Sequence, residues 1–273
     1  MMGEKKKIRM IVTDLDGTLV NAAYEITEEN KKAVQAAAEH GVPTVIATGR
    51  MHRSAVNYAE ALGVDAPIIS YNGAVVKTAG GELLASSYLE PQVVERVLGY
   101  VFACGWYVQS YVGDALYYVE KTEDARIYES ASKVYGEAIG RGGMLSRTKE
   151  VPKLLVAVPA EKIDDVIRNL RNRFRNEADV MQSSPTYIEI VRPGVSKARA
   201  MLALAEKRGV RAEEIMALGD SGNDVEMIRA AGLGVAMGNA IPSVKEAADE
   251  IAPSCEENGF AEAVRRFVLE KDS

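Results

Sequence analysis

This chain has few of the residues that crosslink proteins or bind soft metals, and it lacks the long apolar run that spans a membrane. Its two cysteines, Cys104 and Cys255, lie far apart in 273 residues. They form no CxxC pair and no ligand cluster, so a disulfide framework is excluded and a reducing compartment fits. Each reads as a small apolar residue. Only two histidines are present, His40 and His52, which argues against histidine-based catalysis. His40 precedes Gly41 at a helix C-terminus, where a charged imidazole suits the dipole. His52 reads as a surface or packing residue. Basic residues are also short: 33 Lys and Arg against 39 Asp and Glu leave a net charge of -6. The general basic field that nucleic-acid binding requires is missing. An anionic membrane surface is an equally poor match. No run approaches the roughly 18 apolar residues of a membrane span. The opening MMGEKKKIRMIVTDLDG is basic, then briefly apolar, but its apolar run is too short for a secretion signal and Asp14 interrupts it. These absences predict a cytoplasmic protein with neither a nucleic-acid nor a membrane partner.

What is present is ordinary globular material, 47% hydrophobic and 26% charged. The length suits one large domain or two smaller ones. IRMIVT (8–13), PTVIAT (43–48) and PIIS (67–70) read as buried strands. Between them, 27–41 has Thr27 as a plausible N-cap and Gly41 as a stop, and 53–63 has helical spacing. This β-α-β-α-β order predicts a parallel sheet. Residues 74–87 read as a hairpin turning at AGG. The middle of the chain differs: eight of twelve tyrosines fall between residues 88 and 135. WYVQSYVGDALYYV (106–119) reads there as a hairpin with Gly113-Asp114 at its tip. Strands at 153–159 and 187–191 and a helix at 161–174 follow. The first style returns at Lys197, with a helix to Gly209, a strand 215–220, a helix from Asp224, the strand LGVAMG and a last helix 259–270. The expectation is an α/β core split by an inserted α+β domain.

Open parallel sheets bind ligands beyond the carboxyl ends of their strands. At those ends stand Asp14, Asp16, Gly17 and Thr18, then Thr48, Gly49 and Arg50, then Tyr71, Asn72 and Gly73. At the end of the strand 215–220 comes GDSGND (219–224), with Asp220, Ser221, Asn223 and Asp224. Each set alone has a plain structural reading. DGT is a turn, Thr48-Gly49 a loop exit, Asn72-Gly73 a tight turn and Lys197 a solvated helix lysine. Their co-occurrence on one rim carries the weight. Asp14 and Asp16 are one residue apart, and a buried carboxylate pair needs a proton, a cation or a basic partner. A calcium EF-hand loop is the rival for this stretch, with Asp14, Asp16 and Glu25 at its positions 1, 3 and 12. Leu19 stands where that loop requires glycine, Thr18 is neither acid nor amide, and a strand rather than a helix precedes.

The four sets together resemble the haloacid dehalogenase-like phosphohydrolases. Asp14-Leu15-Asp16-Gly17-Thr18 is similar to that family's first motif, Thr48 to its second, Lys197 to its third and Gly219–Asp224 to its fourth. The insertion between the second and third motifs resembles the Cof-type branch, as do MGNA (237–240) and NGFAEAV (258–264). The resemblance implies a Rossmann-like parallel-sheet core, residues 1–84 and 192–273, with an inserted α+β cap, 85–191, that chooses the substrate. It implies Asp14 as nucleophile, Asp16 as general acid and then base, and Lys197 as the neutralising cation. Thr48, Gly49 and Asn223 would bind the phosphate. Mg²⁺ would sit on Asp14, the main-chain carbonyl of Asp16 and Asp220, with Asp224 helping directly or through water. Arg50, Asn72 and Gly73 would lie toward the substrate. The implied activity is Mg²⁺-dependent hydrolysis of small phosphorylated metabolites, sugar phosphates favoured, through an aspartyl-phosphate. Two alternatives stay open. One is phosphoryl transfer between hydroxyls, as in phosphomannomutases. The other is a receiver-type phospho-acceptor, which usually lacks an inserted cap and puts its acceptor on a later strand.

Overall fold

The computed structural model describes residues 7–63 and 66–270. The basic opening stretch, residues 1–6, lies outside the described residues. Two compact units emerge, one from Met1–Ala85 with Ser196–Ser273 and one from Ser86–Val195.

The first unit is built on an eight-stranded sheet. Its strands lie in the order Glu250–Ile251, Leu233–Ala236, Ile215–Gly219, Met10–Thr13, Thr44–Ala47, Ile68–Ser70, Val75–Lys77 and Leu83–Ser86. The first six run parallel, and Val75–Lys77 returns antiparallel. MIVT, TVIA and IMALG are buried along their whole length. A parallel strand covered on both faces must be apolar on both, which is why these runs do not alternate. Side-chain direction still alternates. Ile11, Ile46, Met216 and Leu218 join one core, while Met10, Val12, Val45, Ala47, Ile215 and Ala217 join another. Helices Glu28–Glu39, His52–Leu62 and Gly259–Val264 close the first core, and helix Lys197–Lys207 closes the second. Thr27 caps Glu28–Glu39 through the amide of Asn30, with Glu28 and Glu29 in the first turn where the dipole favours acids. The last helix passes into wider π-type turns over Arg265–Leu269.

The strand order carries the functional consequence. From Met10–Thr13 the chain moves to one side through Thr44–Ala47 and Ile68–Ser70. After Lys197 it moves to the other through Ile215–Gly219 and Leu233–Ala236. The carboxyl end of Met10–Thr13 is therefore a topological switch point, where crossovers part and leave a crevice.

The second unit has a six-stranded sheet in the order Asp179–Ser184, Tyr187–Val191, Lys153–Ala157, Tyr107–Val112, Ala115–Tyr118 and Glu137–Ala138. All pairs are antiparallel except the last. Gly113 and Asp114 both take positive φ at the hairpin tip, the geometry a two-residue turn demands. Helices Pro91–Cys104 and Ile163–Arg173 pack Val94, Val97, Val101, Ile167 and Leu170 with Leu154, Val156, Ile188 and Ile190. Helices Pro91–Cys104 and Glu123–Ser132 and strand Asp179–Ser184 are additions to the sequence reading. Among the described residues no helix is long and apolar enough to cross a membrane.

Candidate active site

Strand Met10–Thr13 delivers Asp14 to the switch point, where its amide donates to the carbonyl of Leu218, 2.9 Å, on the neighbouring strand. Gly17 then turns the chain at φ +77°. A Cβ there would stand 2.6 Å from Asp220 Oδ2, so glycine lets the first loop lie against the loop after Ile215–Gly219. Thr18 Oγ1 donates to Asp220 Oδ1 at 3.2 Å. Oxygens of Asp14, Asp220 and Asp224 lie within 4.8 Å of one another.

Lys197 enters this cluster from the start of its helix, whose N-cap is Ser196. A cation at a helix N-terminus is unfavourable to the dipole. The site compensates: Lys197 Nζ lies 2.5 Å from Asp14 Oδ1 and 2.7 Å from Asp224 Oδ1, with its side chain fully buried. Burial alone would push the ammonium down, but Asp14 and then Asp224 reverse this and hold it well up. Burial pushes the Asp14 carboxyl well up; Lys197 pulls against it, and Asp224 and Asp220 add to it. Burial and then the charge of Asp224 push Asp220 up to about 6. Three carboxylates facing one ammonium leave excess negative charge in a dry place.

Both oxygens of Asp224 have partners. Its Oδ1 accepts from Lys197, and its Oδ2 accepts from the amides of Asp220 and Ser221 at 3.1 and 3.0 Å. Asp224 thus folds the GDSGND loop and holds Lys197. Spare oxygen capacity lies on Asp14 and Asp220. Such hard carboxylate donors fit a small divalent cation, and Gly17 keeps the space beside Asp220 clear.

A second group lines the same rim. The Thr48 amide donates to Ile69 and its carbonyl accepts from Asn72, while its hydroxyl oxygen accepts from the Arg50 amide at 3.1 Å. Tyr71, Asn72 and Gly73 run left-handed with φ of 53°, 57° and 103°. Glycine is needed at 73, because a Cβ would come within 2.3 Å of the Ser196 carbonyl. Gly49 approaches the Asn72 side chain, where a Cβ would stand at 3.0 Å. Asn223 Nδ2 donates to Asn72 Oδ1 at 2.8 Å, and Asn223 Oδ1 accepts from Ser221 Oγ at 2.7 Å. Thr48, Asn72 and Asn223 are thereby chained to the acidic loop.

Asp16 and Arg50 form a third group. Arg50 Nε donates to Asp16 Oδ2 at 2.8 Å and Nη2 to Oδ1 at 2.6 Å. The Asp16 carboxylate is turned to this fork rather than into the Asp14, Asp220 and Asp224 cluster, and Arg50 Nη1 donates to Ser54 Oγ at 3.3 Å. Sequence reasoning named Thr18 but gave it no partner, and it passed over Tyr24, Tyr58 and the part played by Asn239. Asn239 Nδ2 donates to the Gly17 carbonyl at 2.8 Å and its Oδ1 accepts from the Cys255 amide at 2.9 Å, pinning the first loop. The MGNA segment was the available signal for it.

The sequence profile of haloacid dehalogenase-like hydrolases matches residues 11–264, and the chain belongs to that family. It is 34% identical over 269 residues to the 5-amino-6-(5-phospho-D-ribitylamino)uracil phosphatase YcsE of Bacillus subtilis, covering 97% of this chain and 98% of the relative. The phosphoglycolate phosphatase of Methanothermobacter thermautotrophicus is 31% identical over 263 residues, 96% and 99% of the two chains. Among solved structures, a haloacid dehalogenase-like hydrolase from Bacteroides thetaiotaomicron superposes with a TM-score of 0.88 at 32% identity, over 95% of this chain and 99% of the other.

Proposed function

We propose that the protein is a Mg²⁺-dependent phosphatase of small phosphorylated metabolites, with sugar phosphates favoured, that works through an aspartyl-phosphate on Asp14. The observation that carries this reading is the buried ammonium of Lys197 fixed on Asp14 beside Asp220. Two similar proteins bear the names of phosphatases for a phosphoribityl compound and for phosphoglycolate, which supports small phosphorylated substrates. The free thiols of Cys104 and Cys255 support a cytoplasmic setting.

In this reading Lys197 sets the rotamer of Asp14, whose carboxylate needs no base to attack phosphorus. The Asp14 oxygen–phosphorus bond forms as the ester P–O bond breaks, and Asp16 gives its proton to the leaving oxygen. Water then attacks phosphorus, Asp16 takes the water proton, and Asp14 is released with inorganic phosphate. The Thr48 hydroxyl and the Asn223 amide donate to phosphate oxygens, and Gly49 lets the backbone come close. Asp14 and Asp220, with the main-chain carbonyl of Asp16 and with Asp224 helping directly or through water, would hold Mg²⁺, which when bound supplies Lewis-acid neutralisation of the phosphoryl charge. Enzymes lower phosphate monoester barriers by up to about 28 kcal/mol. One well-placed donor supplies roughly 3–4 kcal/mol, so the load is shared.

Asp16→Asn tests the scheme. Asparagine keeps the size but carries no transferable carboxyl proton. With an activated aryl phosphate the first step still runs, while the second slows by ~10²–10⁴-fold. Phosphoenzyme then accumulates, and peptide mapping of quenched samples places it on Asp14. An adduct elsewhere removes Asp14 as nucleophile. Near-wild-type turnover without an adduct removes Asp16 as acid and base.

A further inference from the structure

We propose that the polar face of the second unit's sheet, ending in the hydroxyls of Tyr128 and Tyr187, binds the non-phosphate part of the substrate and selects neutral, polyhydroxylated groups over carboxylate-bearing ones. The inference rests on the phosphatase reading above.

The two faces of this sheet are built on opposite plans. Val108 and Val112, Leu154 and Val156, and Ile188 and Ile190 pack with the helices Pro91–Cys104 and Ile163–Arg173. Successive strand residues face opposite ways, so Tyr107, Gln109 and Tyr111 share the other face with Lys153, Tyr187 and Glu189. Strand pairing sets them in rows. Tyr107 and Tyr187 stand on either side of Ala157, and Gln109 and Glu189 on either side of Leu155. Helix Glu123–Ser132 adds Tyr128, whose ring centroid lies 6.4 Å from that of Tyr111 and 6.3 Å from that of Tyr187.

The polar groups of this face are linked in series. The Tyr107 hydroxyl donates to Gln109 Oε1 at 2.8 Å, Gln109 Nε2 to the Tyr111 hydroxyl at 2.6 Å, and Tyr111 to the Tyr128 hydroxyl at 2.8 Å. Each proton is taken by the next oxygen, so the Tyr128 proton is the open end of the chain, on a half-buried residue. Lys153 Nζ donates to Glu189 Oε1 at 2.7 Å and lies 5.0 Å from the Tyr111 ring centroid. The Lys153 and Glu189 side chains are only 4% and 8% exposed. Aliphatic residues would cover this face at less cost, as they do the opposite one, because a buried ion pair rarely recovers its desolvation. A hydrogen-bonded buried network instead fixes where its outermost groups point.

Those outermost groups define the ligand. Tyr107, Tyr128 and Tyr187 are half-buried and offer ring faces and hydroxyls, which suit the C–H and O–H groups of a sugar or polyol. Burial pushes the Tyr107 and Tyr187 hydroxyls up, so both stay protonated. Glu189 balances the charge of Lys153. Asp124 is exposed, acts by its charge on both Tyr107 and Tyr187, and joins no ion pair among the described residues. The cavity of about 220 Å³ beside Tyr107 likewise sets Glu120 and Asp124 against Arg141 alone. A carboxylate brought to this face meets an excess of acid.

The test measures phosphate release from sugar and polyol phosphates and from phosphorylated hydroxy acids such as phosphoglycolate. The readout is the ratio of the best kcat/KM in the first group to the best in the second. The wild type is expected to favour the first group. Tyr128→Phe and Tyr187→Phe keep the rings and delete the hydroxyls, and each is expected to lower the ratio by roughly 2–10-fold, the worth of one neutral hydrogen bond. Glu189→Gln removes the counter-charge of Lys153 and is expected to lower the ratio furthest, by raising turnover of the acids. Asp124→Asn, at an exposed position, shifts it the same way and serves if Glu189→Gln folds poorly. Suppose p-nitrophenyl phosphate is hydrolysed, but the wild type favours the acids or accepts neither group. The inference is then overturned and the phosphatase reading stands. A ratio that the tyrosine variants and Asp124→Asn leave unmoved, including through equal losses on both groups, overturns it as well. If the wild type hydrolyses neither p-nitrophenyl phosphate nor either group, the phosphatase reading falls, and this inference with it.

Discussion

At the scale of single residues, Lys197 is the most exposed to test because it is the least exposed to solvent. Its side chain is fully buried and meets two carboxylates. Breaking a buried pair by deleting one partner costs about 3–5 kcal/mol, since the other charge stays desolvated. Lys197→Met is therefore expected to lower the urea unfolding free energy by about that much in EDTA. Asp14 and Asp220 keep oxygen capacity for a cation, so Mg²⁺ should recover part of the loss. A ligand at a hundred times its Kd adds about 2.7 kcal/mol to folded-state stability. The wild type gains likewise on passing from EDTA to Mg²⁺. Unchanged unfolding in saturating Mg²⁺ would remove the metal site, and an unchanged Lys197→Met curve in EDTA would remove the lysine's structural part.

At the scale of elements, Glu129 shows how a helix is tied down. It lies in Glu123–Ser132, nearly buried, and its Oε1 accepts from the Tyr118 hydroxyl at 2.8 Å and the Gly136 amide at 2.9 Å. Its Oε2 lies 2.6 Å from Lys121 Nζ. Burial would raise this carboxyl; Lys121, Gly136 and Tyr118 outweigh it and hold it below the usual glutamate range. A depressed folded-state pKa gives stability that is present above the unfolded value and is lost as pH falls through the folded one. Glu129→Gln should thus melt below wild type at pH 7, and the gap should close as pH falls below the ordinary glutamate range. A gap independent of pH would assign the effect to packing alone. None of these partners could be read from the sequence, because Tyr118, Gly136 and Lys121 reach Glu129 only through the fold. The same limit hid helix Pro91–Cys104, where Val93, Val94, Val97 and Val101 form the buried stripe but are residues that favour strands. The strands Met10–Thr13, Thr44–Ala47 and Ile215–Gly219 were legible because both of their faces are buried. Of the candidate site, Asp14, Lys197, Asp220 and Asp224 could be grouped because each borders an apolar element. The turn of Asp16 toward Arg50, 34 positions away, is a tertiary fact with no local trace.

At the scale of the whole molecule, the two units divide the side chains cleanly. The cores of the first unit draw only on residues before Ser86 and after Val195, and the core of the second only on residues between them. Asp14, Asp16, Thr48, Arg50, Asn72, Lys197, Asp220 and Asn223 all belong to the first unit. The chain leaves that unit at the end of the edge strand Leu83–Ser86 and returns at Ser196, the N-cap of the helix that begins with Lys197. The insertion thus begins where a strand ends and finishes where a helix starts, so it interrupts no element that holds the acids. If the first unit performs the chemistry, substrate preference should travel with the second. Replacing Ser86–Val195 by the aligned segment of the Methanothermobacter phosphoglycolate phosphatase tests this, since the two chains align over nearly their whole lengths. The chimera is expected to turn over p-nitrophenyl phosphate, to form the Asp14 adduct when Asp16→Asn is added, and to rank phosphoglycolate higher among phosphorylated metabolites than the parent does. A chimera that keeps the parent's ranking would place selectivity in the first unit. A folded chimera that has lost turnover of p-nitrophenyl phosphate would show that chemistry and selection are not separable along this boundary.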